Sequence, residues 1–296
     1  MGYQLWASPI TGYRRNGTRL AELRSLLGSG ITARAILEPL QSCPAAAAAD
    51  EMADILQRRS FDVAGVQSQR DGPVIGFVER ETLKGGVVRH HIKPLTADQL
   101  ISDATALPSV LSVLKARQHA FVLIGPSVKG IVTRTDLNKP PVRVYLFGLI
   151  SLLEMHLGFW VKDGYGEDAW REKLKAGRLK AARKLQADRR KRHQEASLAE
   201  CLQFCDKRDL VLVRNDLRGN MGFGATARAR GLLQRAEDLR NVLAHSQQDL
   251  VQGSSWQEVI ELVEWVETVV HTSDESVEQK IRNSAKRGED GLWASA

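Results

Sequence analysis

The stretch GIVTRTDL, Gly130 to Leu137, joins a short β-branched run to the start of a helix, and its reading decides the first half of the chain. Thr133 and Asp136 stand three apart, one at the end of the strand and one in the first helical turn. An ionised Asp offers two acceptor oxygens and no donor, which suits the vicinal hydroxyls of a ribose. The free N–H groups of a helix start favour a phosphate. The same residue types also serve simply as caps for the helix that follows. The spacing fits either use.

Working outward, PSVLSVLKARQHAFVLI followed by VKGIVTRTDL is matched earlier in the chain by DEMADILQRRSFDVAGV followed by PVIGFVERETL. Ile55 and Leu56 align with Val113 and Leu114, Val63 to Val66 with Phe121 to Ile124, Gly76 with Gly130 and Leu83 with Leu137. On this alignment the extra residues of the first copy, four of them, all fall in its hairpin loop. Each copy reads as an amphipathic helix, a short β-branched run, a turn, a second run and another helix start. The turns are DGP (Asp71 to Pro73) and GPSVKG (Gly125 to Gly130). One such unit cannot cover both faces of its small sheet, whereas two copies about a pseudo-twofold can, leaving two equivalent clefts. In the first copy Glu79 takes the place of Thr133 and Thr82 that of Asp136, so the two clefts differ in chemistry.

Over residues 31 to 140 the pair resembles a tandem of CBS domains, and GIVTRTDL is the most specific element of the resemblance. The resemblance implies that Thr133 and Asp136 hold a regulatory adenine nucleotide (AMP, ADP or ATP), S-adenosylmethionine or another purine signal. It further implies that Ile101, Ser102, Phe121 and Val122 wall the base.

Before the repeats, Thr18 is placed to cap a helix carrying Leu20, Leu23, Leu26 and Leu27 and ended by Gly28 and Gly30. Arg14 and Arg15 are free in sequence terms to meet a phosphate, a second subunit or solvent. From Pro141 onward the chain reads as helices, with Pro141 at a first helical position. Ser197 with Glu200 and Ser255 with Glu258 are capping boxes. Leu232, Ala236, Leu239 and Leu243 form one apolar stripe, and Trp256, Val259, Ile260, Val263 and Val270 another. LVLVRNDLRGNMGFGATARARG lacks the Gly-Lys-Ser/Thr of a phosphate loop and reads as an interhelical loop turning at Gly222 and Gly224. The expected organisation is α+β. It comprises an N-terminal helical extension (1–30), a CBS pair of two βαββα-type repeats (31–140), an all-α bundle of four or five helices (141–272) and a disordered tail (273–296).

Composition narrows the partners. Twelve basic and five acidic residues lie between Lys162 and His193, a surplus equal to the formal charge of +7 on all 296 residues. A localised basic stripe is the footprint of a polyanion, although charge runs also serve as solvated helix faces. Val144 to Val161 is long and apolar, but Glu154 and His156 interrupt it, so a buried helix is expected, with His156 a satisfied core histidine. MGYQLWASPI has no leader pattern, and Trp6 breaks a myristoylation signal. Cys43, Cys201 and Cys205 form no C-x-x-C pair, which suits a reducing, cytoplasmic setting, and Cys201 and Cys205 read as buried residues of one helix.

RNVLAH, Arg240 to His245, closes a stripe-bearing helix. Residues five apart on a continuous helix point about 140° apart, so Arg240 and His245 border one cleft only if the helix breaks near Ala244. A His at a helix C-terminus is also explained by the dipole alone. Over residues 141 to 272 the hexapeptide and its place before a final amphipathic helix resemble the HEPN family, many members of which are metal-independent ribonucleases while others only bind partners. The resemblance implies catalytic Arg240 and His245 with Asn241 orienting the phosphate or imidazole, RNA as substrate, no cofactor for catalysis, and a homodimer pooling two such pairs. Glu154 is placed to fix Arg240 by a buried pair. The expected function is thus a nucleotide-regulated ribonuclease without membrane attachment. A catalytically silent sensor with a docking or dimerisation bundle is the alternative, and a membrane-linked regulator using the Val144 to Val161 helix is a third reading.

Overall fold

The computed structural model describes residues 14, 16–69, 72–166, 168–194, 196–245, 249–251 and 253–287, with backbone alone for 284–287. The expectations about the opening decapeptide, Arg15, Asp71 and residues 288–296 lie outside the described residues. The chain forms two compact units: residues 28–142, and residues before 28 together with those after 142. Helix α1 (Leu20–Leu23), continued by a π turn over Arg24–Gly28, therefore belongs with the distant helical part and is no separate extension.

The unit over 28–142 is built from two copies of one topology. In the first, β1 (Glu38–Pro39) precedes β2 (Ser42–Pro44), α2 (Ala49–Arg58), β3 (Val63–Gln67) and β4 (Val74–Glu79). In the second come β5 (Leu100–Ser102), α3 (Leu107–Ala116), β6 (His119–Ile124) and β7 (Ser127–Thr133). β2 runs parallel to β3 and β5 parallel to β6, while β4 and β7 return antiparallel to them. Val66 faces Gly76 as Val122 faces Gly130, and each hairpin has a register shift at the next residue.

That register corrects the sequence alignment. Val63 to Val66 correspond to His119 to Val122, two residues earlier than Phe121 to Ile124. Four residues join α2 to β3 and two join α3 to β6, so the first copy has a two-residue insertion after α2, where Ser60 adopts φ 57°. A slip of two keeps every side chain on its original face of the sheet, so the apolar pattern cannot reveal it.

The copies are tied together by exchanged straps. Ala33 N–H donates to Thr105 O and Val88 N–H to Ala47 O, so the segment before each repeat meets the helix start of the other. Likewise β1 pairs with β7, and Lys93 pairs with Phe77 of β4. Gly76 permits that approach: a Cβ there would lie 2.6 Å from Lys93 O and 2.4 Å from Ile92 Cγ2. Val88 and Ile92 of the strap complete the core around Cys43, Leu56, Val66 and Leu83. One repeat alone would leave that core open to water.

In the helical unit, α4 (Pro140–Tyr165) is followed by α5 (Ala176–Lys191), α6 (Phe204–Leu212), α7 (Asn215–Asn220), α8 (Thr226–Ala244) and α9 (Trp256–Arg287). α4 is long and apolar enough to cross a membrane, yet Tyr145, Leu149, Leu153, Leu157 and Trp160 are fully or almost fully buried by protein. Both expected capping boxes form: Ser197 N–H meets Glu200 Oε2 at 2.9 Å, and Ser255 N–H meets Glu258 Oε2 at 2.8 Å. Gly222 turns the α7–α8 connection at φ 65° against Thr272. Cys201 and Cys205 do not share a helix: Cys201 ends a 3₁₀ turn and Cys205 lies in α6.

Two further expectations are corrected. Residues from 273 are no loose tail as far as Arg287, because α9 continues and buries Ser273 and Val277. Thr18 does not cap α1, since its hydroxyl accepts from Arg14 Nε at 3.0 Å while Asp274 Oδ2 accepts from Leu20 N–H at 2.8 Å. The guanidinium of buried Arg14 also pairs with Asp274. Trp160 Nε1 donates to Ser273 Oγ at 2.7 Å, which leaves the Ser273 hydroxyl to donate to His156 Nδ1, also at 2.7 Å. His156 Nε2–H then faces Asp274 at 3.3 Å, fixing a neutral tautomer. His156 is the buried core histidine expected, its Nδ1 bonded to Ser273 and its Nε2 facing Asp274.

Candidate functional site

Thr133 ends β7, and Asp136 sits in the 3₁₀ turn Arg134–Asn138. Asp136 is 7% exposed. Its Oδ2 accepts from Thr133 N–H at 2.7 Å and Thr133 Oγ1 at 2.8 Å, and its Oδ1 pairs with Lys139 Nζ at 2.8 Å. Lys139 in turn meets Glu38 at 2.5 Å. Burial works against the Lys139 ammonium, but its bonds to Asp136 and Glu38 outweigh that and raise its pKa. This is the cap reading realised in full: both carboxylate oxygens already have donors. Oδ1 keeps one lone pair for a further donor such as a ribose hydroxyl. In the first repeat Glu79 instead pairs with Lys93 at 2.6 Å, and Thr82 Oγ1 donates to Glu79 O at 2.8 Å.

The residues expected to wall a base divide. Ser102 is exposed and Ile101 nearly buried on β5. Phe121 and Val122 have no exposed surface. Phe121 packs on Phe77 of the other repeat at 4.9 Å between ring centroids, and His119 meets both rings at 5.1 and 5.6 Å. The Phe121 side chain thus serves the joint between repeats, and Val122 is buried within its own. His119, absent from the sequence reading, has a buried Nε2 with no hydrogen-bond partner. Its burial lowers its pKa.

In the helical unit Arg240 is half-buried on α8, and Nη2 lies 3.5 Å from Glu154 Oε2. The expected Arg240–Glu154 pair is therefore present, though with both side chains partly exposed. Lys207 of α6 holds the other oxygen, Oε1, at 2.8 Å. Sequence reading missed Lys207 because the contact joins residues 53 apart and no spacing signals it. Arg240 Nη1 also donates to Asn241 Oδ1 at 3.0 Å. α8 runs unbroken to Ala244, and His245 N–H donates to Asn241 O at 3.0 Å as a regular helical bond. Arg240 and His245 therefore point about 140° apart, and the helix break that would bring them to one cleft does not occur. His245 shares its face with Asn241, is exposed, and makes no side-chain hydrogen bond among the described residues. One chain supplies a guanidinium and an imidazole, but not converged on one point.

No family model matches the chain, and no curated protein is similar to it in sequence. Solved structures similar to it include CBS-domain structures. One is the CBS domain of the bacterial CNNM/CorC family Mg2+ transporter in complex with ATP, at 17% identity, over 40% of this chain and 91% of that chain, with TM-score 0.34. Another is the CBS-pair protein CBSX2 from Arabidopsis thaliana, at 18% identity over 39% and 94%, TM-score 0.33. A third comprises the CBS domains of a transcriptional regulator from Streptococcus pneumoniae, at 16% identity over 36% and 96%, TM-score 0.32.

Proposed function

We propose that the chain is a ligand-regulated, metal-independent endoribonuclease acting as a pair of identical copies. The observation that carries the reading is the Arg240 cluster. A half-exposed guanidinium is held by Glu154, and Lys207 neutralises the second oxygen of that carboxylate. Arg240 is thereby oriented without being consumed, as a phosphate clamp requires. Cleavage needs no more than a base, an acid and positive charge. The base takes the 2′-hydroxyl proton, the 2′-oxygen attacks the adjacent phosphorus, and the acid protonates the departing 5′-oxygen. The products are a 2′,3′-cyclic phosphate and a free 5′-hydroxyl. Imidazole titrates near neutrality and serves both proton transfers, each worth typically ~10²–10⁴-fold. Because Arg240 and His245 of one chain face apart, Arg240 of one copy would work with His245 of the other across an isologous contact. The repeat pair would sense an adenine-type ligand at Thr133 and Asp136, and act by favouring one arrangement of the paired helical units.

A second reading, a catalytically silent sensor, is favoured by the position of His245 as an ordinary helix end. Mixed RNA incubated with the protein in EDTA separates the two. Cleavage with cyclic-phosphate ends that is lost in His245→Ala and in Arg240→Ala supports the nuclease. Equal cleavage by all three proteins, or none with ATP, AMP or S-adenosylmethionine present, leaves the silent sensor.

A further inference from the structure

The outer face of α5 has a partner to find. Arg178, Ala182 and Gln186, four apart, form its inner face: Arg178 pairs with Asp206 at 2.7 Å, Ala182 is buried, and Gln186 Nε2 donates to Ala196 O at 3.0 Å. That anchoring turns Lys180, Arg183, Lys184 and Arg190 outward, all exposed and none in an ion pair among the described residues. The acid within α5, Asp188, is 3.6 Å from Lys191. Lys180 to Arg190 spans about 15 Å at 1.5 Å per residue.

We infer that this face of α5 is a phosphate-tracking rail for single-stranded RNA leading towards Arg240. The inference rests on the ribonuclease reading for its end point, but not for the binding itself. Continuity comes from Arg178, which ties α5 to Asp206 of α6 at 2.7 Å. Lys207, the next residue along α6, shares Glu154 with Arg240. The exposed positions of α5 hold Lys, Arg, Ala, Gly177 and Leu185, with no aromatic ring or amide to read a base, so recognition is of the backbone. A membrane surface fits less well: Leu185 is the large apolar side chain exposed on α5, and an interfacial helix needs an apolar face.

The test uses the full-length protein and a fluorescein-labelled 20-nucleotide oligouridylate, titrated by anisotropy between 50 and 200 mM salt. Four neutralised phosphates on a single strand contribute about 2.8 to the salt slope, or about 50-fold in affinity across that range. Lys180→Gln/Arg183→Gln/Lys184→Gln/Arg190→Gln is expected to lose that dependence while keeping the wild-type melting temperature. His245→Ala is expected to bind as wild type does. If the wild-type protein binds the oligonucleotide without cutting it, the ribonuclease reading fails and the rail stands. An unchanged slope in the quadruple variant overturns the rail, as does binding of phosphatidylserine vesicles with none of the oligonucleotide.

Discussion

Replacing Arg14 by Met should destabilise the helical unit by about 3 kcal/mol. Arg14 lies in the N-terminal segment, its side chain is fully buried, and it pairs with Asp274, itself 13% exposed. Removing one partner of a buried pair costs about 3–5 kcal/mol, since the remaining charge stays desolvated. The low end applies because Asp274 retains the Leu20 N–H at 2.8 Å and His156 at 3.3 Å. Burial alone would raise the Asp274 pKa, but His156, the Leu20 N–H and Arg14 together hold it below the usual carboxylate value. All six tryptophans lie outside residues 28–142, so tryptophan fluorescence reports the helical unit alone. With a urea m-value of about 2 kcal/mol/M, the midpoint should fall by about 1.5 M. Arg14→Met/Asp274→Asn should recover part of the loss, because the stranded carboxylate is gone. A midpoint shift under about 0.3 M would refute the reasoning, and with it the docking of the N-terminal segment on α9.

The same network sets a pH dependence. Burial depresses the His156 pKa, with Asp274 opposing and Arg14 assisting, so the unfolded chain takes up a proton first as pH falls below about 6.5. Stability of the helical unit should therefore decline from pH 7.5 towards 5; a flat profile by urea titration contradicts a neutral buried His156. In the repeat unit, Gly76→Ala should cost about 2–4 kcal/mol, combining overpacking with the loss of Phe77–Lys93 pairing at 2.8 and 3.0 Å. Gly130→Ala, whose Cβ would meet its nearest atom at 3.1 Å, should cost about 1 kcal/mol or less. Equal losses by calorimetry would undo the argument about the close strap. Asp136→Ala should cost about 0.5–2 kcal/mol as a lost cap and abolish any melting-temperature rise produced by ATP. A rise that survives in the variant removes Asp136 from the ligand site.

The repeat was legible because its evidence is local: apolar periods, turn residues and paired glycines recur within each copy. Its register was not, since the two-residue insertion at Ser60 preserves the period-2 pattern on which the alignment rests. The straps were invisible for a related reason. Each crosses to the other copy, and a segment such as Val88 to Lys93 has no strand signature of its own. In the helical unit the capping boxes could be read directly, being bonds between residues three apart. The Arg240–Glu154 pair followed from asking what a charge inside an apolar helix meets, but Lys207 on the same carboxylate carried no such prompt.

The misreading of residue 273 onward has the most physical content. Ser273 and Asp274 break the apolar stripe of α9, and a polarity criterion sends such residues to solvent. They are held inside because the opposite wall is polar too: His156 and Trp160 on α4, and Arg14 from a segment some 260 positions earlier in the chain. Burying a polar group is costly alone and tolerable when its partners arrive with it. The helix therefore continues past Ser273 against partners that include the N-terminal segment. That is why α1 folds as one body with the helices after residue 142, and why a boundary drawn where Gly28 and Gly30 end the first helix set it apart instead of enclosing it in the last domain.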